Sequence, residues 1–96
     1  MRKFISILGS TGSIGVTSLN ILNKKKKLFK INILAADKNF NTICKQIRKY
    51  KPIIFAINNT KILSKVKKKF KNSNCKIIHL NEINKYNFLN SDILIS

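Results

Sequence analysis

Apolar residues along the chain fall into short continuous runs, separated by stretches where they recur every three or four positions. Residues 3–8 (KFISIL) are the first run, and it stops abruptly at Gly9, as a strand buried in a parallel sheet does. From Ser13 onward, Ile14, Leu19, Ile21 and Leu22 suit a helix packed on that sheet, closed by the lysines at 24–27. Residues 29–36 (FKINILAA) read as a second strand. Over residues 42–50, Ile43, Ile47 and Tyr50 share one helical face at i, i+4 and i+7, and Pro52 stops that helix. Residues 53–57 (IIFAI) form a third run. Asn58 or Asn59 is placed to cap a helix carrying Ile62, Leu63, Val66 and Phe70. A fourth strand is expected over residues 76–80 (KIIHL), a weak helix or turn over 81–90, and the start of a fifth strand over 92–95 (DILI).

Strands alternating with helices at this spacing imply right-handed βαβ units. The expected fold class is therefore α/β, a Rossmann-like doubly wound parallel sheet. No repeat or linker interrupts it, so residues 1–96 read as one domain. The chain stops within or just after a strand. Functional loops of such sheets follow the C-terminal strand ends, so the domain is expected to be incomplete at its C-terminus.

Composition changes this picture little. A hydrophobic fraction of 44% fits a globular chain, and no apolar stretch approaches the roughly 20 residues of a membrane span. The basic start at Arg2 and Lys3 is followed by too short an apolar run for a signal peptide, so a cytoplasmic location is expected. The net charge of +17 raises nucleic-acid binding as a possibility. However, Lys, Ile and Asn make up roughly half of the chain, the signature of AT-rich coding, and the lysines are spread along it. The denser clusters at 24–27 and 67–71 fall at expected helix C-termini, where cations complement the helix dipole. The charge reads as a solvated surface, with no specific nucleic-acid or membrane partner.

The candidate chemistry lies in Gly9-Ser10-Thr11-Gly12-Ser13-Ile14-Gly15, directly after the first strand. A phosphate needs close backbone approach and unpaired N–H donors. Glycines permit the approach, and a helix starting near Ser13 aims its first amides and its positive dipole end at the anion. Gly9 lets the chain turn, Gly12 lets a diphosphate approach, and Gly15 lets the helix lie close to the sheet. Thr11 and Ser13 add hydroxyl donors. The spacing is GxxGxxG rather than GxGxxG, and such a turn could simply start a helix. Its place after a first strand in a βαβ unit points to a dinucleotide instead.

Ala36-Asp37-Lys38-Asn39 ends the second strand. An acid about 20 residues past the glycine loop accepts the ribose 2′-hydroxyl of NAD and repels the 2′-phosphate of NADP. Asp37 stands in that zone, but Lys38 beside it favours the phosphate. These residues alone leave the choice between the two cofactors open.

The opening Ile7-Leu8-Gly9-Ser10-Thr11-Gly12-Ser13-Ile14-Gly15 resembles the start of the 1-deoxy-D-xylulose-5-phosphate reductoisomerase family. The likeness continues without a gap through Leu28-Phe29-Lys30-Ile31 to Lys38-Asn39, and becomes diffuse beyond about Tyr50. It implies that Thr11, Gly12, Ser13, Ile14, Lys38 and Asn39 contact NADPH. The family usually has a glycine where this chain has Asp37, which is retained here as a cofactor-binding candidate on the strength of its position. The resemblance implies an enzyme that rearranges a ketose phosphate and reduces the product with NADPH, making 2-C-methyl-D-erythritol 4-phosphate for isoprenoid precursors. It also implies a divalent metal (Mg or Mn) and a homodimer for the full-length enzyme. The metal ligands and substrate-phosphate contacts would lie beyond this chain, leaving residues 1–96 as a truncated N-terminal NADPH-binding domain that turns nothing over alone.

No catalytic or metal residue is expected within the chain. Asp37, Glu82 and Asp92 are its only acids and form no ligand cluster in sequence. His79, between Ile78 and Leu80, reads as an edge or half-buried strand residue. Ser10, Ser13 and Ser18 lack a nucleophile elbow or a paired base. Phe4, Phe29, Phe55, Phe70 and Phe88 are spaced as core residues, and Cys44 and Cys75 read as buried thiols. Two alternatives remain: an NADH-preferring dehydrogenase domain, suggested by Asp37, and a small basic nucleic-acid-binding module, suggested by the charge.

Overall fold

The apolar runs pair into one sheet because each can satisfy its backbone groups only against a neighbouring strand. The computed structural model describes residues 3–86 and 91–95. In chain order the elements are β1 (Lys3–Leu8), α1 (Ser13–Asn23), β2 (Phe29–Ala36), α2 (Phe40–Tyr50), β3 (Ile54–Ile57), α3 (Thr60–Lys69), β4 (Lys76–His79), a 3-10 helix (Leu80–Lys85) and β5 (Ile93–Ile95). The sheet order is β4-β3-β2-β1-β5, and all four pairings are parallel. The chain steps outward from β1 to β4, then returns to the other side of β1. That reversal makes the sheet doubly wound and leaves a topological switch point between β1 and β5.

Right-handed crossovers put α1, α2 and α3 on one face. Ile5, Ile7, Leu34, Phe55 and Ile57 meet Leu19, Ile43, Ile47 and Val66 there in a single buried cluster. The second face holds a smaller cluster of Ile33, Ala35, Ile54, Ala56 and Ile78, covered by Leu80 and Ile83 of the 3-10 helix and by Tyr86 just after it. Ile5 pairs with Ile31 but Ile7 with Leu34, so β2 carries one extra residue against β1. This bulge puts Ile31 and Leu34 on the helical face with only two residues between them.

Side-chain caps set where the helices begin. Asn39 Oδ1 accepts the Thr42 amide at 3.2 Å, starting α2 at Phe40, two residues before the apolar pattern suggested. Asn59 rather than Asn58 caps α3, accepting the Ile62 amide at 3.1 Å. Lys51, in the left-handed region at φ 48°, closes α2 before Pro52. Lys67, Lys68 and Lys69 do lie in the last turn of α3, whereas Lys24 caps α1 and Lys25–27 follow in the turn beyond, leaving no basic residue in that helix's last turn. Ile14 and Ile21 do not pack on the sheet: they are 73% and 55% exposed. Phe4 is also exposed, on the thinly covered second face, and Phe88 lies outside the described residues.

Cys44 and Cys75 are free and buried. Burial pushes the Cys75 thiol up to about 11 from its ordinary 9.0, against a smaller opposing backbone hydrogen bond at Phe55. Burial raises Cys44 too, opposed by the charges of Lys69 and Arg48. A raised pKa means that the native state keeps its proton after the unfolded chain has lost it. The Cys75 contribution to stability is therefore present below about pH 9 and is lost as pH rises through about 11. At neutral to mildly alkaline pH, a thiol reagent followed by mass spectrometry should label neither cysteine in the native protein and both after denaturation. Rapid native-state labelling of Cys75 would contradict a closed core.

Candidate functional site

The first strand ends where only glycine suits the backbone. Gly9 sits at φ +69°, and its carbonyl accepts the Gly12 amide at 3.1 Å, folding the chain into a tight turn. The Ser10 amide bonds the Ala35 carbonyl at 2.9 Å and ties this turn to the end of β2. Gly12 then occupies the N-cap of α1 without any side-chain cap, unlike Asn39 and Asn59 at α2 and α3. By helix geometry the amides of Ser13, Ile14 and Gly15 have no partner inside the helix, while Val16 bonds the Gly12 carbonyl at 2.9 Å. α1 thus presents uncapped donors at its positive end, and Gly12, Ser13 and Ile14 are exposed there.

Gly15 is needed for a more local reason than close packing on the sheet. A methyl group on it would overlap the Gly9 carbonyl oxygen and come within 2.7 Å of Ser10 Cα. The first turn of the helix lies directly on the backbone of the preceding turn.

A residue that the sequence pattern did not single out holds that turn in place. Ser10 and Gln46 are both buried; the Ser10 hydroxyl donates to Gln46 Oε1 at 2.7 Å, and Gln46 Nε2 donates to the Ser10 carbonyl at 2.8 Å. The available signal was a polar residue beside Ile43 and Ile47 on the otherwise apolar face of α2. A buried amide there needs partners, and the turn supplies them.

Two clefts adjoin at Leu8 and Gly9. One, about 350 Å³, is lined by Gly12, Ser13, Ile14 and Gly15, with Ile95 of β5 opposite, so it opens at the switch point. The other, about 380 Å³, is walled by Ala35, Ala36, Leu80 and Ile83, with exposed Asp37 and Asn58 at the ends of β2 and β3. The anion-attracting helix end therefore sits beside a flat apolar slot with a carboxylate. Thr11 is half-buried in the same turn, and exposed Lys38 and Asn39 follow Asp37; none of the three lines either cleft. The Asn39 side-chain carbonyl is occupied in capping α2.

His79 Nδ1 accepts the Asn81 amide at 3.1 Å on the edge strand β4, which gives the ring a capping task. Among the described residues no group of three or more His, Cys, Asp or Glu side chains could hold a metal ion. A larger cavity of about 610 Å³, under Arg48, Pro52, Phe70 and Cys75, lies at the opposite end of the strands, away from the glycine turn.

Residues 5–91 match the family described as 1-deoxy-D-xylulose 5-phosphate reductoisomerase. Curated relatives of that name include the Buchnera aphidicola protein, 42% identical over 71 residues and 74% of this chain. The Prochlorococcus marinus protein is 36% identical over 70 residues, or 73% of this chain. The chain spans only 18% and 17% of the lengths of these two relatives. The fold superposes on the Zymomonas mobilis reductoisomerase solved in complex with NADPH, with a TM-score of 0.77 at 18% identity, covering 82% of this chain and 21% of that one. It also superposes on a DOX-P reductoisomerase in complex with NADPH, fosmidomycin and magnesium, with a TM-score of 0.74 at 19% identity, covering 80% of this chain and 19% of the other.

Two substitutions test the turn without reference to any ligand. Gln46→Ala strands the buried Ser10 hydroxyl and should cost about 1–3 kcal/mol. Gly15→Ala forces the helix off the turn and should cost about 1–3 kcal/mol as an overpacked contact. Denaturant unfolding measures both, and changes below about 0.5 kcal/mol, the range of ordinary surface substitutions, would contradict the tight packing described.

Proposed function

The chain belongs to the 1-deoxy-D-xylulose 5-phosphate reductoisomerase family, and from that premise we propose that it forms the NADPH-binding part of such an enzyme. In this reading the protein rearranges 1-deoxy-D-xylulose 5-phosphate and reduces the product to 2-C-methyl-D-erythritol 4-phosphate, in isoprenoid precursor synthesis. One observation carries it: an uncapped, glycine-lined helix end faces a cleft at the switch point of a parallel sheet.

The roles follow from charge and donor chemistry. The amides of Ser13, Ile14 and Gly15 at the start of α1 receive the cofactor diphosphate, Gly12 leaves room for it to approach, and the Thr11 and Ser13 hydroxyls are further donors. The apolar slot beside Gly9 takes the adenosine end, where Asp37 meets the ribose, and Lys38 and Asn39 reach it from just outside the slot. Ile14, exposed on the wall of the first cleft, shields the bound chain from water. Bound NADPH supplies the hydride. The described acids do not fit a divalent metal site, so no step through Mg or Mn is assigned to them. Residues 1–96 act as the N-terminal dinucleotide-binding domain, with the groups that hold metal and substrate phosphate supplied elsewhere in a cytoplasmic homodimer.

The protein at its native length should consume NADPH when 1-deoxy-D-xylulose 5-phosphate is added. Lys38→Ala should weaken NADPH binding about tenfold, the effect of losing one charge-assisted contact worth about 1.4 kcal/mol. Absorbance and nucleotide-fluorescence titrations measure the two. Saturable NADPH binding without turnover of that substrate would leave the cofactor site standing and overturn the reaction.

A further inference from the structure

We propose that Asp37 makes NADH a ligand of this site alongside NADPH, by accepting the ribose 2′-hydroxyl at the adenosine end. This rests on the dinucleotide reading above and concerns which dinucleotide the site takes.

Asp37 follows the last residue of β2 and lines the apolar slot next to Gly9. Its carboxylate is held: Asn58 Nδ2, from the loop after β3, donates to Asp37 Oδ1 at 3.0 Å. The backbone is held as well, since the Asn58 amide bonds the Ala36 carbonyl and the Asn59 amide bonds the Asp37 carbonyl, each at 3.0 Å. A neutral amide holds the carboxylate without cancelling its charge, and among the described residues Oδ2 remains as an acceptor.

A ribose diol presents O–H donors, which such an oxygen accepts. A 2′-phosphate in the same place brings further negative charge against a carboxylate held by Asn58, at a separation well inside a Debye length. Exposed Lys38 and the N-terminus of α2 lie next along the chain and offset part of it. The two terms oppose each other, which narrows the discrimination between the two cofactors.

Fluorescence titrations of the protein at its native length with NADH and with NADPH, in the absence of substrate, decide it. The two dissociation constants should lie within about tenfold of each other. Asp37→Asn keeps the shape and removes the charge. It should shift the ratio toward NADPH by about tenfold or more, a difference of about 1.4 kcal/mol. NADPH binding more than tenfold tighter than NADH in the unaltered protein, or an unchanged ratio in D37N, would overturn the inference and leave the cofactor site intact. Binding of neither nucleotide would overturn the dinucleotide reading itself.

Discussion

The functional end of this sheet depends on how closely the first turn of α1 lies against the backbone leaving β1. At Gly15 there is no room for even a methyl group, because the Gly9 carbonyl and the Ser10 backbone fill the space. That contact fixes the direction of α1 relative to β1, and so the direction in which its uncapped amides point. It also leaves the turn so short that Gly9 must adopt a positive φ. A looser loop would still start a helix, but it would not present three adjacent donors at a fixed distance from the strand ends.

The turn is held from three sides, each by a neutral interaction. Ala35 accepts the Ser10 amide, Gln46 exchanges two hydrogen bonds with Ser10, and Gly9 accepts the Gly12 amide. Neutral clamps suit the proposed anion site. A buried carboxylate in place of Gln46 would repel an anion, and a buried charge of either sign would be costly there. The chain's many cations stay at the surface, and several rest over aromatic rings: Arg48 over Phe70, Lys65 and Lys69 over Phe40, Lys76 over Tyr86. The positive potential is therefore broad, while the specific geometry is confined to the strand ends.

The strands and helices were legible because apolar runs ending at Gly9, Asp37 and Asn58 alternate with helical spacing, and that pattern leaves few topologies open. The glycine turn was legible for the same reason, since its residues are contiguous. What escaped the sequence depends on contacts across it. Gln46 stands 36 positions from Ser10, and nothing local pairs them. The β2 bulge is set by how β1 and the helices share that strand, and Ile14 looks like a core residue until its helix is seen to turn it outward. Likewise Asp37 was singled out by its position alone, but the hydrogen bond that holds its carboxylate comes from Asn58, 21 residues away.

Amide chemical shifts of the isotope-labelled protein, followed as NADPH is added, test most directly the claim that the start of α1 receives the cofactor. The largest changes should fall on Gly12 through Gly15, with a second group at Asp37, Leu80 and Ile83 along the apolar slot. Changes centred on the lysines at 24–27 or 67–71, with the glycine turn unmoved, would contradict it and mark the binding as non-specific attraction to a basic surface.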